Sequence, residues 1–355
     1  MKRVIIFCIC WMLLQSTQSI ACTTFLIKRN GQLVFGRNYD WVTGSGFVTT
    51  NLSGLSKSSL LSTDKSPLKW TSKYGSITFN QYGKEFPTGG MNETGLVVEL
   101  MWADGTQYPE ADERPALGVL QWIQFQLDNY STVAEVLSSD RLIRISQDNP
   151  PLHYLVADAQ GNAATIEFYG GRLTVHTGKD LPFPVLTNST YEQSAKSVTT
   201  ANIQQGNSSF DFQDNSLQRF AKACSMIRDY NVRRIDVAPV DYAFSILENV
   251  SQQGFTKWSI VYDIANRRIS FRTDGYQEIK NLPFESFRFD CNSGSKVLDM
   301  NQHLQGNVAS RFVPFTDSFN RKVLEVSVAE SKPQIEISRK SVDEHLALPA
   351  AFHCK

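Results

Sequence analysis

Cys22 stands directly after Ser19-Ile20-Ala21, at the end of an apolar leader that opens with Lys2 and Arg3 and runs from Val4 to Leu14. Ser19 and Ala21 are the small residues wanted at the third and first positions before a signal-peptidase cut, so cleavage after Ala21 makes Cys22 a new N-terminus. A thiol in that place carries an amine on its own α-carbon, with an ordinary pKa of about 8. Nucleophile and base then belong to one residue: the neutral amine takes the thiol proton and later returns one to a leaving nitrogen. The same cysteine has a second reading as a lipid attachment site on a surface-bound binding protein, in which an acylated amine could no longer act as a base. Bulky Ile20, where a lipoprotein signal has a small residue, speaks against it.

The stretch "CTTFLIKRNGQLVFGRNYDW" shows two alternating apolar runs around Asn30-Gly31, the signature of a two-residue hairpin turn. With Asn30 and Gly31 at the turn, Arg29 faces Gln32, Thr24 faces Arg37 and Cys22 faces Tyr39. Directly opposed residues of an antiparallel pair share a face, so Arg37 lies diagonal to Cys22, where its charge lowers the pKa of thiol and amine. Strict alternation sends Asp40 to the other face. It reaches the Cys22 amine only if the strand bends or bulges between Asn38 and Trp41. Arg37 and Asp40 also fit an ordinary surface ion pair.

No other residue type offers a competing site. His153, His176, His303, His345 and His353 lie in no cysteine-protease signature, and His153 reads as a satisfied, half-buried residue within an apolar strand. No cluster has metal-ligand spacing and no glycine run makes a phosphate-binding loop, so no cofactor is expected. Taken alone, Asn188 is a turn residue and Trp102 a core or surface aromatic. Removing the leader removes Cys8 and Cys10. Cys224 falls in a helical stretch, while Cys291 and Cys354 could pair in an oxidising compartment.

The elements that must hold such a site are legible in outline. Strands are expected in "LHYLVADAQGNAATIEFYGGRLTVHT" and in "WSIVYDIANRRISFRT". Helices fit "PALGVLQWIQFQLDNY" with Pro115 near its first turn, a segment opened by the capping box Thr132 to Glu135, "SLQRFAKACSMIRDY", and "YAFSILENVSQ" with Asp241 as N-cap. The polar stretch "TANIQQGNSSFDFQDNS" reads as a long loop. Strand pairs at both ends with helices between them indicate an α+β architecture of antiparallel sheets covered by helices. No repeat or linker divides the chain, which organises as a signal peptide, 1–21, and one domain, 22–355. At 355 residues, 41% hydrophobic and 20% charged, the chain can bury a large core. Lys plus Arg equals Asp plus Glu at 35 each, a balance that gives no reason to expect nucleic acid or an anionic membrane as partner. The leader is too short to span a bilayer, and no later run does so; the expected location is exported, periplasmic or secreted.

The opening Cys-Thr, "FGRNYDW", "GGMNETGL", "VLTNS" and a later Arg-Phe on a helix occur in an order that resembles the choloylglycine hydrolase family of N-terminal-nucleophile enzymes, from Cys22 to at least Thr273. The resemblance implies a four-layer αββα sandwich of two antiparallel sheets between helices, hydrolysis of a non-peptide linear amide in a small molecule, and a possible homotetramer. It implies Cys22 as nucleophile with its α-amine as base, Arg37 and Asp40 orienting them, Asn188 as side-chain oxyanion donor and Arg219 as a further site residue, although the usual Pro-Gly-Asp approach to that arginine is missing. The position seven residues after Gly95, whose backbone N–H helps bind the oxyanion, is Trp102. Tryptophan there, with Trp41 after Asp40, looks like the Gram-negative branch, which acts on penicillin V, acyl-homoserine lactones and some bile salts. Such side chains favour a flat aromatic or long acyl group over a polar one.

Overall fold

The computed structural model describes residues 22–60, 67–233 and 235–355; the expected leader and its cleavage bond after Ala21 lie outside them. The N-terminal hairpin turns where the sequence indicates. Asn30 and Gly31 take positive φ of 52° and 77°, as a tight turn between right-twisted strands requires. Strands Thr23–Arg29 and Gln32–Asp40 pair with Thr24 facing Arg37 and Arg29 facing Gln32, the register read from the sequence.

This hairpin lies inside a seven-stranded sheet whose order runs Val185–Leu186, Thr23–Arg29, Gln32–Asp40, Thr256–Asp263, Arg268–Thr273, Tyr276–Pro283, Gly306–Asn307. Its pairings are antiparallel except the last. A nine-stranded sheet faces it, with Val97–Trp102 flanked by Leu152–Ala157 and Pro87–Asn92. Aromatic residues lock the two together: Phe79 meets Tyr262 edge to face, with ring centroids 6.2 Å apart. Helix Val119–Asn129 packs on Pro87–Asn92 and Val97–Trp102, while helices Asn215–Val232 and Pro239–Asn249 cover the outer face of the first sheet. Helix, sheet, sheet, helix is the expected αββα order.

Two helix starts differ from expectation. Pro115 precedes a two-residue strand, Ala116–Leu117, that pairs in parallel with Arg144–Ile145, so the helix begins only at Val119 with Gly118 as N-cap. Asp241 is not an N-cap. Its helix starts at Pro239, whose fixed φ suits the first helical position, and Asp241 sits in the first turn, where its charge complements the helix dipole. The capping box of Thr132 and Glu135 is present. The pairing left open for Cys291 and Cys354 exists, with Cα atoms 5.7 Å apart. It holds His353–Cys354 against the strand Leu55–Ser58. No helix among the described residues is long and apolar enough to cross a membrane.

Candidate active site

Cys22 precedes the first strand, is only 3% exposed and lines a cavity of about 410 Å³ together with Tyr39, Asp40, Trp41 and Trp102. Its Sγ is 3.8 Å from the main-chain oxygen of Asp40. Burial pushes the thiol pKa up to about 11; the charge of Arg37, the contact with the Asp40 carbonyl and the charge of Arg219 pull the other way, while the Asp40 carboxylate adds to the rise.

Arg37 is fully buried and is not half of a surface pair with Asp40. Its guanidinium forms an ion pair with Glu99 of the facing sheet, donates to the carbonyls of Thr88 at 3.2 Å and Leu100 at 3.4 Å, and lies over the Tyr39 ring at 4.6 Å. Glu99 also accepts from the Tyr262 hydroxyl. Burial pushes the Glu99 carboxyl up to about 7, against the pull of Arg37. Gly89 leaves the space for it: a Cβ there would stand 1.9 Å from Glu99 Oε2. Sequence reading missed Glu99; a lone acid in the apolar strand "VVELMW" was the available signal.

The ladder is irregular beside Asp40, with the extra residue in the neighbouring strand, opposite Tyr39 and Asp40. Register shifts between Thr256, which faces Asp40, and Trp258, which faces Tyr39, so Lys257 is an extra residue opposite that step. Thr256 donates to Asp40 Oδ1 at 2.5 Å and Gln252 to Oδ2 at 2.9 Å. Burial raises the Asp40 carboxyl to about 6, with Arg219 the leading influence in the other direction.

Arg219, the least complete match in the sequence, is brought directly to Cys22. From helix Asn215–Val232 its Nη1 donates to the Cys22 carbonyl at 2.6 Å and to Thr23 Oγ1 at 2.5 Å, its Nη2 to Asn188 Oδ1 at 3.0 Å, and its Nε to Asn215 Oδ1 at 2.8 Å. Asn188 Nδ2 in turn donates to the Trp102 carbonyl at 2.7 Å. Ser216, unmarked in the sequence, accepts from the backbone N–H groups of Asn188 and Ser189 at 2.9 and 2.8 Å. His153 is fully rather than half buried, its ring nitrogens 2.6 Å from the Thr187 carbonyl and 3.2 Å from Glu167.

The backbone of Trp102 is free to face the cavity. Ala103 N–H donates to the Pro151 carbonyl at 2.9 Å, so the opposed pair Trp102 and Leu152 is a non-hydrogen-bonded pair and Trp102 N–H points away from that neighbour. On its other side pairing ends at Gly89 and Glu99. The Trp41 and Trp102 rings lie 6.0 Å apart, and Trp41 Nε1 donates to Tyr82 at 2.8 Å and Ser331 at 3.0 Å.

A larger cavity, about 670 Å³, opens beside Leu26, Pro184 and Cys224. Burial raises the Cys224 thiol far above its ordinary value, and neither Cys22 nor Asp40 lines that space. Among the described residues no group of three or more His, Cys, Asp or Glu is placed to hold a metal ion.

Residues 22–228 match the model of the linear amide C–N hydrolases, choloylglycine hydrolase family. A penicillin V acylase of Pectobacterium atrosepticum is 26% identical, with 85% of this chain and 92% of that protein covered. The solved penicillin V acylase from Agrobacterium tumefaciens superposes with a TM-score of 0.72 at 25% identity, over 83% of this chain and 98% of the other. A conjugated bile acid hydrolase from Clostridium perfringens shares the fold, with a TM-score of 0.67 at 18% identity over 81% and 99% of the two chains. Two facing antiparallel sheets under helices, with the family's match starting at the buried cysteine, place this chain in the choloylglycine hydrolase family of linear amide C–N hydrolases.

Proposed function

We propose that the mature enzyme, residues 22–355, is exported to the periplasm or beyond the cell and cleaves an N-acyl amide through a thioester on Cys22. The observation that supports this most is the hydrogen-bonded chain from Cys22 through Arg219 and Asn188 to Trp102, whose two ends line one cavity. With residues 1–21 removed, the α-amine takes the thiol proton and the thiolate attacks the amide carbonyl carbon. The oxyanion is met by the Trp102 N–H and by the Asn188 amide, which has a second hydrogen beyond the one given to the Trp102 carbonyl. The α-ammonium passes its proton to the nitrogen, the C–N bond breaks and the amine leaves. Water, deprotonated by the same amine, then attacks the thioester and frees the carboxylic acid. Asp40 orients the amine, Arg37 supplies positive charge beneath the sulfur, and Arg219 fixes the Cys22 carbonyl.

The indoles of Trp41 and Trp102 suit the aryl or long acyl groups of penicillin V, conjugated bile salts or acyl-homoserine lactones. Following amine release across that panel tests the substrate range. Cys22→Ser is expected to fold and lose at least about a thousandfold in kcat; full turnover by that variant would overturn the mechanism. The homotetramer implied by the resemblance belongs to this reading, and sedimentation of the mature chain tests it.

A further inference from the structure

The cavity beside Cys22 is lined in part by a stretch of the chain that lies beyond the family match, which ends at residue 228. Ile335 and Ile337 are among its lining residues, and both remain partly exposed. Ile335 packs against the main core and also against a separate cluster of Tyr82, Leu324, Val342 and Leu346, so it bridges the two.

This segment is pinned at three points. Ser331, at its start, bonds to Trp41 Nε1 at 3.0 Å and to the Tyr82 hydroxyl at 2.8 Å. His345 bonds the Tyr82 carbonyl at 3.0 Å and stacks on Phe86 with centroids 3.8 Å apart and planes 8° from parallel. At the end, the disulfide to Cys291 and the bond from Lys355 N–H to the Gly54 carbonyl tie the tail to the body. The wall therefore has a fixed distance from Trp41. Ile335 and Ile337 are its apolar contribution to the cavity lining, and the charged residues among the described lining of the cavity are Asp40, Asp148 and Glu336, all acidic.

We infer that residues 331–354 form the acyl-specificity wall of this enzyme, with Ile335 and Ile337 as the residues that contact an uncharged aryl or alkyl acyl group held against Trp41 and Trp102. The inference rests on amide hydrolysis at Cys22 and adds what selects the acyl group. Neither isoleucine takes part in the chemical steps, so their removal should weaken binding of long acyl groups and leave short ones alone.

The test uses the mature enzyme and three amides of one chromogenic amine, carrying acetyl, phenoxyacetyl or dodecanoyl groups. Ile335→Ala and Ile337→Ala should each raise KM for the two larger substrates about tenfold, with kcat and the acetyl substrate unchanged, and Ile337→Trp should exclude the dodecanoyl substrate first. Replacing both Cys291 and Cys354 by Ser should move KM in the same direction by loosening the wall. A reductant added to wild type should do so too, since Cys22 works as a thiol. A kcat/KM ratio between dodecanoyl and acetyl substrates that stays within about twofold of wild type in every variant would overturn the inference. If wild type cleaves none of the three, the failure lies with the proposed reaction. Binding of dodecanoate, read by tryptophan fluorescence, then decides the wall separately: a weaker Kd in the alanine variants supports it and an unchanged Kd refutes it.

Discussion

Arg37 and Asp40 stand three residues apart on one strand and are held by different partners. Arg37 is held by Glu99 from the opposite sheet, so the charge beneath the sulfur is set by a pair. Arg37→Ala should raise the thiol pKa, seen as a shift of iodoacetamide alkylation to higher pH; an unshifted profile would remove Arg37 from the role given to it. Glu99 carries a pH signature in stability. Its carboxyl is raised from the ordinary 4.5 to about 7, so the folded state binds the proton more tightly than the unfolded chain. The stability linked to it is present below about pH 4.5 and is lost as pH rises through 7, by roughly 3 kcal/mol at about 1.4 kcal/mol per unit. Glu99→Gln should flatten the fall of the urea midpoint between pH 5 and 7, and an equally steep fall in the variant would assign that dependence elsewhere. The register fixed by the turn sent Asp40 to the other face, whereas Cys22 was legible from the cleavage signal and Arg37 from that turn. Glu99 was not, since its partner lies 62 residues away on another sheet and local pattern carries no such distance.

At the scale of elements, helix Asn215–Val232 does more than cover the sheet. Its first turn supplies Ser216 to the backbone of Asn188, and its next turn supplies Arg219 to Cys22, Thr23 and Asn188 together. A planar guanidinium reaches these acceptors at once, whereas an ammonium is a single compact charge. Arg219→Lys should therefore lower kcat by about ten- to a hundredfold with KM little changed; a variant with wild-type kcat would reduce the arginine to a structural tie. The helix was readable from its apolar spacing, and so was the long loop before it. The two missed starts have different causes: tertiary pairing of Ala116–Leu117 holds the residues after Pro115 extended, whereas Pro239 takes the first helical position and leaves Asp241, a good cap residue by type, inside the first turn.

At the scale of the whole molecule, the two sheets bring together residues from both ends of the chain, and this is what sequence reading could not order. Strand Gln32–Asp40 lies beside Thr256–Asp263, and the wall of the cavity comes from residues beyond 330. Local propensities name such strands without saying which become neighbours. On the proposed mechanism the N-terminus is the point on which activity depends, since Cys22 sits just before the strand Thr23–Arg29 with its carbonyl already claimed by Arg219. A residue left in front of it would turn the catalytic amine into an amide that cannot take up a proton. A mature chain beginning at Ala21 should thus be folded, with Cys22 still inside its cavity, yet hydrolyse amides at no more than about a thousandth of the rate of the chain beginning at Cys22. Intact mass gives the N-terminal residue of each preparation, and thermal midpoints compare their folding. Equal turnover by the two would separate the base from the nucleophile and return the α-amine to an ordinary chain end; a lipid adduct on Cys22 in the native protein would do the same.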